Sequence, residues 1–238
     1  MPGDEQGQLL EALRESQKKY QALMDESSDA IFIVDTEGNL LEVNKKAEEL
    51  TGYSKEDLLN SHFTRLHPDE VIGDVGAVFR RGLQEGTSSY VELPLKRKDG
   101  RTIYVDLVGK FIECSGKKLG QAIVRNITDR KEAEEIVGAY LGGPSRGKSD
   151  VPQGARVLGA YSGNDGVLYI DISDEFRKNF QGDAMAEYLL LKGLYESIIS
   201  NVSGINDVKV LIEGKEIESI GGHLFAMYPL KDMLAEIK

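Results

Sequence analysis

Ala30-Ile31-Phe32-Ile33-Val34-Asp35-Thr36-Glu37-Gly38-Asn39-Leu40-Leu41-Glu42-Val43-Asn44 sets the pattern for the first half of the chain. The first five residues are apolar and rich in β-branched types, which predicts a strand. Asp35 to Asn39 reads as a turn, because Asp and Asn bond their own backbone and Gly tolerates positive φ. Leu40 to Asn44 returns as a second strand. Lys45 to Leu50 then reads as a short helix, with Asn44 as N-cap and Gly52 at its end.

The pattern continues in both directions. Downstream, Ser54 caps a further short helix, with Asp57 three residues on as an acidic capping-box partner. His67-Pro68-Asp69 opens a longer helix to about Leu83, weakened by Gly73 and Gly76. Three strands follow, about Ser88 to Lys96, Thr102 to Ile112 and Leu119 to Ile127, with hairpin turns at Lys98-Asp99-Gly100 and Ser115-Gly116-Lys117. Thr128 caps a helix, Asp129 to Leu141, which Gly142-Gly143-Pro144 ends. Upstream, Gln8 to Met24 reads as an amphipathic helix whose Leu9, Leu10, Leu13, Tyr20 and Leu23 recur at helical spacing, interrupted at Ser16 and Gln17. It either packs on its own domain or pairs with a second copy of the chain.

Beyond a Gly/Pro/Ser-rich loop, Gly142 to Gln153, the spacing predicts strands at Arg156 to Tyr161 and Val167 to Asp171. Asp183 to Ser200 reads as a helix with an apolar stripe of Met185, Leu189, Leu190, Tyr195, Ile198 and Ile199. Val208 to Ile212 and Lys215 to Ile220 read as a hairpin. The boundaries follow: a flanking helix at 1–27, a first domain at 28–128, a connecting helix at 129–141 and a second domain at 142–238.

The chain has 238 residues, 40% hydrophobic and 29% charged, which fits folded domains. With 29 Lys+Arg against 40 Asp+Glu, the net charge is -11. That balance argues against nucleic acid as a partner, since neutralising phosphates needs cations. It argues equally against an anionic membrane. The one cysteine, Cys114, excludes an intrachain disulfide framework and a Cys-cluster zinc site. No apolar run approaches the roughly 20 residues that span a bilayer, and no signal-peptide core follows Met1 to Gln8, so a cytoplasmic chain is expected, or an envelope one if the native chain is longer.

Catalytic hardware is sparse. The histidines are His62, His67 and His223. Metal-ligand spacings, a Walker A loop, a Gly-x-Gly-x-x-Gly loop and a Gly-x-Ser-x-Gly elbow are all absent. His67 before Pro68 could be a haem or metal ligand, but a hydrogen-bonding His at a turn is the simpler reading, as it is for His62 and His223. Cys114 has Lys117 and Lys118 near it and Glu113 against it, which favours an incidental thiol. Glu134-Glu135 and Asp174-Glu175 read as solvated faces. No enzyme is expected.

The first part resembles a PAS sensory domain. The resemblance rests on Ser28 to Asp35 with Gly38-Asn39, then Val43-Asn44, Ala47 to Tyr53, Glu56-Asp57-Leu58, His67-Pro68-Asp69, Lys98-Asp99-Gly100 and Ile123 to Arg130. It covers about Gln17 to Glu135 and implies a five-stranded antiparallel sheet with small helices over one face. In some members the enclosed core is a ligand pocket. Wall candidates are Ile33, Leu50, Leu58, Phe79, Val91, Val105 and Ile123, with plain core packing as the other reading of the same residues. The cofactor is unknown: the flavin subgroup's Asn-Cys-Arg-Phe-Leu-Gln motif is absent, and the long helix lacks the haem subgroup's His, so both groups are disfavoured. The signal exit falls at Asn126, Ile127, Thr128 and Asp129, where the family's usual Asp-Ile-Thr has become Asn-Ile-Thr.

The second part resembles a GerMN domain, a family named from spore germination and sporulation proteins. Tyr140 to Pro144, Val151 to Leu158, Val167 to Phe176, Val208 to Lys215 and Ile220 to His223 with Pro229-Leu230 carry this likeness over about Glu135 to Asp232. It implies a small α/β domain, so the chain as a whole is α+β. The family's opening strand pair is not visible, and the helix Asp129 to Leu141 serves as both PAS exit helix and first GerMN helix. These resemblances imply a non-enzymatic sensor or adaptor. Its PAS part binds a small molecule or forms a homodimer, and the GerMN-like part binds an unidentified protein. The alternative is a structural assembly protein whose GerMN-like domain oligomerises around a ligand-free PAS module.

Overall fold

The computed structural model describes residues 2–143, 151–163 and 165–236, in two compact units at 1–127 and 128–238. The first unit opens with α1 (Pro2–Asp25). β1 (Ala30–Val34), β2 (Leu40–Val43), α2 (Lys45–Thr51), α3 (Lys55–Leu59) and α4 (Ile72–Glu85) follow, then β3 (Thr87–Lys96), β4 (Thr102–Cys114) and β5 (Lys117–Asn126). The sheet is antiparallel in the order β2-β1-β5-β4-β3.

Asn44 ties this unit's entry together. Its Oδ1 accepts from Ala47 N (3.0 Å), as an N-cap should, and also from Ile31 N (2.9 Å). Its Nδ2 donates to the carbonyls of Met24 (2.9 Å) and Asp29 (3.0 Å). One side chain thus starts α2, holds β1 and anchors the end of α1. Met24 is buried there, while Leu9, Leu10, Leu13 and Leu23 are exposed. Gly52 ends α2 in the left-handed region (φ 73°), where glycine carries no Cβ penalty. Ser54 caps α3 by accepting from Asp57 N (3.3 Å).

The second unit contains α5 (Thr128–Gly142), β6 (Val157–Ser162), β7 (Val167–Ile172), α6 (Glu175–Lys178), α7 (Ala184–Ile199), β8 (Asp207–Ile212), β9 (Lys215–Glu216) and α8 (Leu230–Glu236). Its sheet runs β6-β7-β8-β9; β7 and β8 are parallel and the other pairs antiparallel. α5 is a core element: Ala133, Val137 and Leu141 are buried with Leu168, Ile170, Leu191 and Val210.

Several expectations are corrected. The helix after His67 starts later, at Ile72, behind a short 3-10 turn, Asp69–Val71. The strand expected to Ile220 stops at Glu216. Past it, the N–H groups of Ile220, Gly221, His223 and Leu224 donate to the buried Glu187 carboxylate instead of to a ladder, at 2.8 to 3.3 Å. The expected α7 stripe is also displaced. Met185 and Leu189 are exposed, and the buried face is Glu187, Leu190, Leu191, Leu194 and Ile198. Much of the expected loop before Gln153 lies outside the described residues.

Candidate functional site

A cavity of about 90 Å³ lies in the first unit, between the inner sheet face, α4 and the 3-10 turn Phe63–Leu66. Along β4 the alternate residues Val105, Leu107, Gly109 and Phe111 line it, with Lys110 between them also reaching it. The rings of Phe63 and Phe79 lie 4.9 Å apart, and Phe79 meets Phe111 edge-on at 5.4 Å. Glycines make room for these rings. A Cβ at Gly82 would come within 2.8 Å of Phe111, and one at Gly120 within 2.9 Å of both Phe111 and Val34.

The polar groups on the wall are few: His67, Ser88, Tyr90, Lys110 and Gln121. His67 Nδ1 lies 3.0 Å from the Pro94 carbonyl, which can only accept, so Nδ1 carries the hydrogen. Burial pushes the His67 pKa below its ordinary value. The neutral imidazole therefore caps a carbonyl of the edge strand β3, as a hydrogen-bonding His at a turn was expected to do. His62 bonds locally, to Thr64 Oγ1 at 2.9 Å and the Glu37 carbonyl at 2.8 Å.

Of the seven wall candidates, Phe79 and Val105 line the cavity. Leu50 and Leu58 are buried in the same core but away from the cavity. Ile33, Val91 and Ile123 lie on the opposite sheet face, and Val91 is 66% and Ile123 41% exposed. For Ile33 and Ile123 the reason is the period of two: their neighbours Phe32, Val34, Ala122 and Val124 take the inner face. For Val91 the reason is a bulge. The β3–β4 register slips between Tyr90 and Leu93, with Glu92 at φ 55° and its N–H on Asp106 Oδ1 at 3.0 Å. The extra residue brings Tyr90 inward, in step with Leu93, and turns Val91 out.

At the exit, Ile127 is buried and its N–H donates to the Tyr104 carbonyl at 2.9 Å. One residue before Asn126 stands a cation, not the missing carboxylate. Arg125 makes a two-pronged pair with Asp29 at the start of β1, at 3.1 and 2.9 Å. Burial raises the pKa of Asp129. Among the described residues, no group of three or more His, Cys, Asp or Glu could hold a metal ion. No described helix is long and apolar enough to cross a membrane.

Residues 28–129, which hold the five-stranded antiparallel sheet and its flanking helices, match the family described as PAS domain. The chain carries a PAS domain. Residues 115–218 match the family described as sporulation and spore germination. The two matches overlap across β5, which the structure gives to the PAS sheet.

Among curated proteins, the chain is similar to a methyl sulfide methyltransferase-associated sensor of Methanosarcina acetivorans, 30% identical over 128 residues, covering 53% of this chain and 13% of that protein. It is also similar to the sensor histidine kinase TmoS of Ectopseudomonas mendocina, 29% identical over 129 residues, again 53% of this chain and 13% of that protein. The chain thus spans about an eighth of the length of these relatives. Among solved structures, the PAS domain of an HTR-like protein from Haloarcula marismortui aligns at 23% identity and TM-score 0.47, covering 51% of this chain and 99% of that one.

Proposed function

We propose that this chain is a non-enzymatic sensor or adaptor whose PAS domain responds to a small apolar molecule and passes the response through α5 to the GerMN-like unit. The sensor relatives support the signalling role. The observation that carries the route is the placement of α5. It starts directly after Ile127, at the end of the PAS sheet, and its Ala133, Val137 and Leu141 are part of the second core. A rigid element that belongs to one core and begins at the edge of another biases packing in both.

The cavity limits the ligand. A dry apolar cavity of roughly 150 Å³ takes a benzene-sized molecule. At about 90 Å³, this one takes only a few heavy atoms unless α4 shifts. α4 suits such a shift: its N-cap, Val71, makes no side-chain capping bond, and only Val75 and Gly82 in it are buried.

The homodimer is assigned to α1. Its apolar stripe is exposed, whereas that of α5 is occupied within the second core. The exposed free thiol of Cys114 suits a reducing compartment, the cytoplasm. Native mass spectrometry of the purified chain, against its denatured mass, tests the ligand. A small mass lost on denaturation supports the sensor. An apo chain whose oligomers grow with concentration supports instead the assembly role.

A further inference from the structure

We propose that the second unit carries a binding cleft of its own for a neutral saccharide, walled by the amides of Gln153, Asn179 and Gln181 and by the Phe180 ring. This goes beyond the PAS reading and does not rest on it.

The cleft measures about 450 Å³, against about 90 Å³ for the PAS cavity, and falls in the size range of small-molecule sites. Its walls come from the segments 151–153 and 179–182, with Ala186 from the first turn of α7. The two segments are tied together: Asn179 Nδ2 donates to the Gln153 carbonyl at 2.8 Å. Phe180 is seated by glycines. A Cβ at Gly221 would lie 2.4 Å from its ring, and one at Gly182 2.7 Å from it. The ring is therefore held in place where it lines the cleft.

The wall chemistry selects the ligand. Among the described residues, no Asp, Glu, Lys, Arg or His lines this cleft, in a chain of net charge -11. The charges next to it in sequence are used elsewhere. Asp183 Oδ1 accepts the Ala186 N–H at 2.9 Å as the cap of α7, and Lys178 pairs with Asp174 at 2.6 Å. A charged ligand would lose hydration here and meet no countercharge. A purely apolar one would cover the amides and leave them unpaired.

Carboxamides both donate and accept. Among the described residues, nothing engages the side chains of Gln153 and Gln181. A sugar ring matches them, because its neighbouring hydroxyls also donate and accept. Its C–H face meets the ring of Phe180 and the buried Pro152. A peptide fits less well. Extended peptides add to a sheet edge or seat side chains in a row of apolar pockets, and no described strand borders this cleft.

The test is binding of the purified full chain to a printed array of neutral and acidic oligosaccharides. Isothermal titration calorimetry then follows with the free form of the neutral sugar that binds most tightly. A neutral sugar should bind and acidic ones should be refused. Gln153→Ala combined with Gln181→Ala should weaken that binding by about tenfold or more, the loss of two hydrogen-bonding side chains. Both side chains are exposed, so the variant should unfold in urea as wild type does. No neutral sugar bound on the array, a preference for acidic sugars, or an affinity that the double variant leaves unchanged would overturn the proposal. The variants leave every residue of the PAS cavity intact, so native mass spectrometry judges the sensor reading separately.

Discussion

Glu187 Oε1 accepts the Gly221 N–H at 2.9 Å, and position 221 admits nothing larger than glycine, because a Cβ there would lie 2.4 Å from the Phe180 ring. The same carboxylate takes three further N–H groups of the loop. A buried carboxylate is tolerated when its lone pairs are filled this way. Removing it strands backbone donors in the core. Glu187→Gln, which keeps one acceptor oxygen and turns an amide toward N–H groups, should cost about 2–4 kcal/mol. Urea unfolding followed by a probe in the second unit checks this. A loss within about 0.5 kcal/mol, the range of ordinary surface changes, would remove the clamp from the account.

The bulge at Glu92 sorts two valine and leucine positions that otherwise look alike. Val91→Lys should leave stability within about 0.5 kcal/mol, since the side chain is already in solvent. Leu93→Lys buries an unpaired ammonium and should cost more than about 4 kcal/mol or prevent folding. Comparable losses for the two would mean that the register slip is misplaced.

His67 gives the PAS unit a defined pH response. Its pKa is lowered from 6.5 by burial, so the unfolded chain binds a proton that the native ring refuses. This contribution is whole above pH 6.5, falls as pH drops below that value, and levels off below the lowered native pKa. Urea midpoints of wild type and His67→Gln should therefore diverge in slope below pH 6.5 and run parallel above it. Parallel curves throughout would contradict the buried neutral ring.

Gly120 tests how closely the cavity is packed. Its added Cβ would meet Phe111 and Val34 at 2.9 Å. Gly120→Ala should cost about 1–3 kcal/mol through overpacking and should weaken retention of any small molecule seen by native mass spectrometry. A neutral effect on stability would show that Phe111 moves freely, and that the cavity is larger in solution.

What the sequence disclosed follows from how local each cause is. Asn44, Ser54 and Gly52 act within one turn, so caps and helix boundaries around them could be read directly. Along β4 the cavity wall was legible at Val105 but not at Leu107, Gly109 or Phe111, because Val108 is as apolar as Leu107 and only the structure shows it exposed. It could not be read along β5, where Ala122, Ile123 and Val124 are all apolar and the pattern does not mark which face is inner. Nor could it be read at Val91, because the bulge is fixed by a cross-strand bond to Asp106. Glu187 and Glu134 were hidden for another reason. A helical glutamate is normally solvated, and only distant partners give these two their roles: the 220–224 loop for Glu187, and for Glu134 the Ala160 N–H, which its Oε1 accepts at 2.9 Å. The Gly221-Gly222 pair was the one local sign that something approaches closely there.

The coupling through α5 is tested most directly by hydrogen–deuterium exchange of the full chain carrying Leu93→Ala. Leu93 is fully buried in the PAS core and lines the cavity, so truncating it loosens that unit by about 2–5 kcal/mol without touching the second. The account predicts faster exchange not only in the PAS strands but also along α5 and at the Ala160 amide held by Glu134. Faster exchange confined to residues before 128, with α5 and β6 exchanging as in wild type, would contradict it.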